Sequence, residues 1–187
     1  MDAFLNHIHG FSHLSEESLQ AFAGQWKPLS LPKGHFLVRE DEVSRHFYYL
    51  HRGAVRIYYY KNDKEVTEYL TLDDSFFLSI LSFFRQQPSR LIIQLLEPSE
   101  LLSIHHDDLM RLCDRYHDVE RLFRLMLTES LIISQYRVDS LQFETADQRY
   151  KNLITNHPDI LQRVPLTYIA SYLGVTLETL SRIRAGK

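Results

Sequence analysis

Cysteine is nearly absent from this 187-residue sequence; Cys113 is the only one. That excludes an intrachain disulfide, a cysteine zinc site and a multi-cysteine iron–sulfur cluster. No run approaches the roughly 18 consecutive apolar residues of a membrane-spanning helix. The opening Met1-Asp2-Ala3-Phe4-Leu5-Asn6-His7 has no basic stretch followed by an apolar core. No signal peptide is expected, and a cytoplasmic location is. Net positive charge is missing too: the formal charge is -3 and the pI about 6.4, which argues against a protein that coats nucleic acid indiscriminately. No His-x-His pair occurs from the first strand-like segment onward. His46 and His51 lie five apart, and His105-His106 adjoin Asp107-Asp108. Adjacent side chains on a strand point to opposite faces, so no metal site is expected and solvated histidines are the default. His7, His9 and His13 precede any firm element and are expected in a solvated N-terminal segment. No Ser/His/Asp or Cys/His constellation is readable, so an enzyme is not expected.

The last two dozen residues carry the most information. Leu166, Ile169, Ala170 and Leu173 fall at i, i+3, i+4 and i+7, one apolar stripe of a short helix. Pro165 suits its first turn, and Gly174 sits where a left-handed residue ends a helix cheaply. Thr176 is placed to N-cap a second helix, with Val175 and Leu180 as a hydrophobic staple and Ile183 continuing the buried side. Two short helices about a glycine turn are the layout of a DNA-binding helix-turn-helix. On the opposite face of the second helix, Glu178, Ser181, Arg182 and Ala185 form a polar or small stripe. Arginine can pair bidentately with guanine O6 and N7, and glutamate can accept from cytosine N4. Glu178 and Arg182 also stand i, i+4 in the favourable order, each able to hold the other's rotamer. A helical hairpin with a solvated salt bridge is the plainer alternative. Residues 147–187 hold Arg149, Lys151, Arg163, Arg182, Arg184 and Lys187 against Asp147, Asp159 and Glu178, a basic segment on an acidic body that fits local phosphate contact.

The rest of the chain changes character twice. Residues 14–24 read as a helix with Ser15 as N-cap and Leu19, Phe22 and Ala23 on one side. From Trp26 to Ile104 short segments rich in aromatic and β-branched residues recur between turns such as Pro32-Lys33-Gly34 and Lys61-Asn62-Asp63-Lys64. They indicate a sandwich or jelly roll, and strand alternation accounts for Tyr58-Tyr59-Tyr60. Helical period returns at Asp107-Asp108, and a longer helix runs from about Asp118 to Ser140. Leu122, Met126, Ile133 and Tyr136 track one face of it, while Phe123, Leu127 and Leu131 widen the stripe. A helix apolar on more than one side buries more than one side, against the sheet and against a partner helix. Those four residues are therefore the expected seam of a two-fold dimer, with burial inside a single chain as the alternative. Glu129 falls in the same seam, at a dimer switch or the edge of a pocket. Ala146–Thr155 is a further helix, ended by Asn156-His157-Pro158.

An antiparallel β-roll, a long helix and a C-terminal helix-turn-helix, in that order, resemble the Crp/Fnr family of bacterial transcription regulators. The resemblance covers nearly the whole chain. It rests on Pro32-Lys33-Gly34, Tyr49-Leu50 with Gly53-Ala54-Val55-Arg56, Asp74-Ser75-Phe76-Phe77 and, most specifically, Gly174 through Ile183. Family members place a Glu and an Arg on the recognition helix to read base edges, and Glu178 and Arg182 fall on those positions. The resemblance implies an α+β protein with a cyclic-nucleotide-binding-like sensor over residues 1–117, a dimerisation helix over 118–140 and a DNA-binding domain over 141–187.

The sensor half departs from the pattern. Nucleotide-binding members follow the Phe-Phe-type segment with Gly-Glu, and here Phe77 is followed by Leu78-Ser79. Their later Arg-Ser is Ser89-Arg90 here, which turns the guanidinium toward the other face of the strand. Phe77, Leu78, Ser79, Ser89, Arg90 and Glu129 therefore line at most a degenerate pocket. No cyclic AMP site is expected, and no cofactor. Only Ala185-Gly186-Lys187 follow the second helix, so no wing hairpin is expected. Backbone contacts are expected from Arg149, Lys151, Arg163 or Lys187 instead. The expected partners are a roughly palindromic double-stranded DNA operator, read by Thr176, Glu178, Thr179, Ser181, Arg182 and Lys187, and a second copy of the chain. RNA polymerase and an unidentified small-molecule effector stand as further candidates, and no membrane. The competing reading is a sensor or interaction module that keeps the roll and has lost operator affinity.

Overall fold

The computed structural model describes residues 2–186. Two helices, α1 (Asp2–Phe11) and α2 (Glu16–Gln25), precede eight strands: β1 (Lys27–Leu31), β2 (Phe36–Val38), β3 (His46–Arg52), β4 (Val55–Lys61), β5 (Lys64–Thr71), β6 (Ser75–Phe77), β7 (Ile92–Leu95) and β8 (Ser99–His105). The short α3 (Ile80–Arg85) lies between β6 and β7. The strands form two four-stranded antiparallel sheets, ordered β1-β8-β3-β6 and β2-β7-β4-β5. Apart from the β4–β5 hairpin, sequence neighbours cross between the sheets, which is the jelly-roll topology the spacing predicts.

Alternation along the strands builds three cores. Phe47 and Tyr49 of β3, with Leu102 and Ile104 of β8, face helices outside the first sheet. Tyr48 and Leu50, one residue out of phase, face the second sheet and meet Val55, Ile57, Ile93 and Leu95. The first core takes in α1, which the sequence reading left as a solvated segment. Phe4 and Ile8, four apart on one helical face, are buried there. The His7 ring packs 5.3 Å from Phe76 and 5.7 Å from Tyr49. Ten residues with few apolar positions are marginal as a free helix, and the sheet's aromatic surface supplies the missing stabilisation.

Beyond the roll come α4 (His106–Arg115) and the 27-residue α5 (His117–Phe143). Val119, Leu122, Phe123 and Met126 bury the first half of α5 against the roll and its helices. Its second half stands clear of the chain's own core, and every residue from Leu131 to Tyr136 is exposed. After it follow α6 (Ala146–Asn156), started by a Thr145–Gln148 capping box, and α7 (Ile160–Arg163), α8 (Leu166–Leu173) and α9 (Leu177–Arg184). Their apolar residues Tyr150, Ile160, Val164, Ile169 and Leu180 share the third core with Ala54, Leu70, Leu72 and Leu96 of the roll. The C-terminal helices are thus seated on the second sheet, not tethered beside it.

Candidate nucleic-acid interface

Helices α8 and α9 are built as their sequence dictates. Gly174 sits at φ 69° and returns its N–H to Ser171 O, closing α8 with the left-handed turn that favours glycine. Thr176 caps α9, its hydroxyl accepting from the Thr179 amide at 3.2 Å. Leu180 is fully buried, which fixes the rotation of α9 about its axis. That rotation leaves Glu178, Ser181 and Arg182 exposed on one side, with Thr179 half-buried between them. The ordering of Arg182 differs from the expected mutual pairing. Its Nη2 donates to Thr179 Oγ1 at 3.3 Å, and that hydroxyl lies 3.2 Å from Thr176 Oγ1. The amide at the helix start holds the Glu178 carboxyl below its ordinary range, aided by the Thr176 hydroxyl and the field of Arg182. The side chain is therefore an ionised acceptor at neutral pH. Lys187, an expected phosphate contact, lies outside the described residues.

Three arginines, none singled out as an interdomain contact by the sequence reading, fasten this unit to the roll. Arg56 is 1% exposed; its guanidinium lies between the rings of Tyr58 at 4.1 Å and Tyr168 of α8 at 3.7 Å. It donates to Glu65 Oε2 at 2.5 Å and to Thr67 Oγ1 at 2.9 Å. Arg163 of α7 donates to Asp73, Glu97, Asp159 and the Gly53 carbonyl, all within 3.1 Å. Arg137 of α5 stacks on Tyr172 and donates to the carbonyls of Glu68 and Tyr172. The Thr67 amide completes the junction by donating to Ser171 Oγ at 2.8 Å. Arg56 carried one readable signal, a lone charge between Ala54-Val55 and Ile57, since an isolated charge in an apolar strand requires a partner.

These engagements correct the expected phosphate contacts. Arg163 is consumed by the junction, and Arg149 donates to the carbonyls of Leu173 and Glu144, closing helix ends. Lys151 stays largely exposed in an i, i+4 pair with Asp147.

The junction is also acid-sensitive. Hydrogen bonds from Arg163 hold the Asp73 carboxyl below its ordinary range, helped by the Gly53 amide and the charges of Arg163 and Arg52. A carboxyl depressed by folding stabilises the folded form above its unfolded pKa, near 4, and that contribution is lost as pH falls through the lower folded value. Thermal melting should therefore show junction weakening only below about pH 4, with a smaller acid dependence in Asp73→Asn. An unchanged dependence in that variant would remove Asp73 from the account.

A family model described as the cyclic nucleotide-binding domain matches residues 28–116, the roll and α4. Most of the chain superposes on solved regulators. FixK2 from Bradyrhizobium japonicum is 21% identical with a TM-score of 0.73, over 86% of this chain and 83% of that one. The chain has the Crp/Fnr fold. The c-di-GMP-responsive global regulator CLP of Xanthomonas campestris is 17% identical at a TM-score of 0.67, over 92% of this chain and 91% of its own. The catabolite activator protein of Thermus thermophilus is 20% identical at 0.58, over 94% and 84%. A comparison with curated protein sequences returned no match.

Within the Crp/Fnr fold, the residues expected around a degenerate pocket do not converge. Phe77 points between the sheets and stacks on Tyr48, ring centroids 5.2 Å apart and 12° from parallel. Leu78 turns to the helical side and packs into the first core. Ser79 and Ser89 are buried and hydrogen-bonded to each other at 2.9 Å. Arg90 is elsewhere: its side chain is 74% exposed, 4.0 Å from Glu68 and over the Tyr59 ring. Residues 89 and 90 precede β7, with Arg90 in a bend and not in the expected strand, and there Arg90 turns to solvent while Ser89 turns inward. Glu129 is exposed on α5, apart from all of these.

The expected dimer seam is corrected in part. Leu122 and Met126 are buried in the chain's own first core and are unavailable to a partner. All four residues keep to one side of α5, but the roll and its helices cover only the first half, so Ile133 and Tyr136 emerge on the free half.

Proposed function

We propose that this chain is a homodimeric, sequence-specific DNA-binding transcription regulator acting in the cytoplasm. Residues 1–117 serve as sensor, 118–140 as dimerisation helix and 141–187 as reading head. The observation that carries this is the exposed stripe of Glu178, Ser181 and Arg182 on the second helix of a well-closed helix-turn-helix, with its apolar side spent in the core. Such a helix enters the major groove by its first two turns, which hold all three residues. Thr176 and Thr179 lie at its positive end, where a phosphate oxygen is welcome. Two heads on a two-fold dimer call for a roughly palindromic operator, half-sites about one DNA turn apart. RNA polymerase is the natural further partner of such a regulator. Random-sequence selection by gel mobility shift tests the reading. A recovered palindrome is the expected outcome, and failure to enrich any sequence would favour the sensor or interaction module.

The free half of α5 supports the dimer. Leu131 and Tyr136 are 70% and 69% exposed, with Ile132, Ile133 and Leu141 beside them, more apolar surface than a solvated helix carries singly. Light scattering should return twice the 22.2 kDa chain mass, and Leu131→Glu/Tyr136→Glu should return the single mass. A monomeric wild type at micromolar concentration, or a double variant that stays dimeric, would refute the seam.

The nucleotide pocket is degenerate in this reading. Leu78 and the Ser79–Ser89 pair occupy the positions where glycine, glutamate and arginine would meet ribose and phosphate, and Arg90 lies outside the roll. Calorimetric titration with cyclic AMP or cyclic GMP at tens of micromolar is expected to be flat, whereas micromolar affinity would need about 8 kcal/mol of binding free energy. Saturable heat at one nucleotide per chain would overturn this.

A further inference from the structure

Two cavities adjoin near one end of the first sheet. The first, about 350 Å³, is walled mainly by Phe4 of α1, Pro28 and Leu29 of β1, Tyr49 of β3 and Leu102 of β8. The second, about 560 Å³, lies at the junction with the C-terminal helices and contains Arg52, Asp73, Glu97 and Arg163. Ser30 and Glu100 are the lining residues the two have in common.

The charges of the polar part are unequally occupied. Arg163, Asp73 and Glu97 satisfy one another. Glu100 and Arg52 are exposed and make no ion pair or side-chain hydrogen bond among the described residues. They are register partners on β8 and β3, next to a bulge. Cross-strand partners carry their side chains from points about 5 Å apart. From the apolar end inward, a ligand therefore meets an aromatic and aliphatic wall, then a free carboxylate, then a free guanidinium.

We propose that this composite cavity binds an apolar α-amino acid. The side chain fills the space beside Phe4, Tyr49 and Leu102, the ammonium meets Glu100 where the two cavities adjoin, and the carboxylate reaches Arg52. The order of groups selects the ligand class. An apolar amine leaves the guanidinium unused, and an apolar carboxylic acid places its charge against Glu100. A head bearing both charged groups on one carbon matches neighbouring opposite partners. The apolar volume admits a leucine- or phenylalanine-sized side chain, at the lower end of small-molecule pockets. A ligand in this place lies against Arg163, which ties α7 to the roll, so occupancy would stiffen the junction.

Calorimetric titration of the full chain with L-phenylalanine and L-leucine tests the proposal without reference to DNA. Saturable binding tighter than about 1 mM is expected, with phenethylamine and 3-phenylpropionate each weaker by about tenfold or more. Glu100→Gln and Arg52→Gln, both exposed substitutions that leave the fold intact by circular dichroism, should each weaken binding about tenfold. Ser30→Trp, which places an indole where both cavities are lined by Ser30, should abolish it. Amide hydrogen exchange at Ile160–Arg163 should slow on adding L-phenylalanine. Absence of saturable binding overturns the proposal. So does equal affinity for the amino acid and its two half-charged analogues, or binding indifferent to Ser30→Trp.

Discussion

Replacing Arg56 with alanine is expected to destabilise the protein by about 3 kcal/mol. The guanidinium is 1% exposed and stacked on both faces, so its loss opens a void between Tyr58 and Tyr168 that the two rings cannot fully close. It also strips the Thr67 hydroxyl and the Glu65 carboxylate of their donor. Removing one member of a buried pair usually costs about 3–5 kcal/mol; Glu65 is 36% exposed and can rehydrate, which places the effect at the low end. For a chain of this size that corresponds to a melting temperature lower by roughly 6–12 °C. Arg56→Lys keeps the charge but loses the planar stack and the second donor, and should fall between. Because Tyr168 belongs to α8, the alanine variant should also release the C-terminal helices, read as faster proteolysis near Glu144-Thr145. A variant that melts like the wild type would show that the stacked arginine contributes little to the junction.

Arg182→Ala should have the larger functional effect. If Arg182 reads a base edge, the change costs about 1–3 kcal/mol per half-site and relaxes preference at one position of each half-site, while affinity for unrelated DNA falls far less. The side chain is exposed and packs on nothing buried, so folding should be untouched and the loss attributable to recognition. The bond from Arg182 to Thr179 sharpens the expectation, since a guanidinium already held forward loses less freedom on binding. Affinity and base preference both unchanged for a selected operator would show that the wrong helix has been assigned to reading.

Much of this was legible in the residues because it is local. The α8–α9 pair follows from one apolar stripe, one glycine and one capping threonine, and the structure places Gly174, Thr176 and Leu180 in those roles. The strands were readable from alternation, and the two cores on either side of β3 are that alternation made solid. The long helix was readable too, but not what covered each part of it. Periodicity marks a face as apolar without naming its neighbour, so Leu122 and Met126 looked the same as Tyr136 although they are core and it is surface. The N-terminal helix escaped for a related reason: Phe4 packs on aromatic side chains 45 and 72 residues away, Tyr49 and Phe76.

The sequence by itself determined the order of roll, long helix and helix-turn-helix, and which side of the last helix is polar. Hydrophobic period, capping and turn chemistry act within a few residues, and a linear reading captures them. Only the tertiary structure decided where the arginines go. Arg137 and Arg163 look as available as Arg182 in the sequence, yet two are spent joining the reading head to the roll and one faces solvent. The carboxylates and rings that claim a guanidinium come from positions as far as 112 residues away, as Tyr168 does for Arg56, and meet it only once the two sheets and the C-terminal helices share a core.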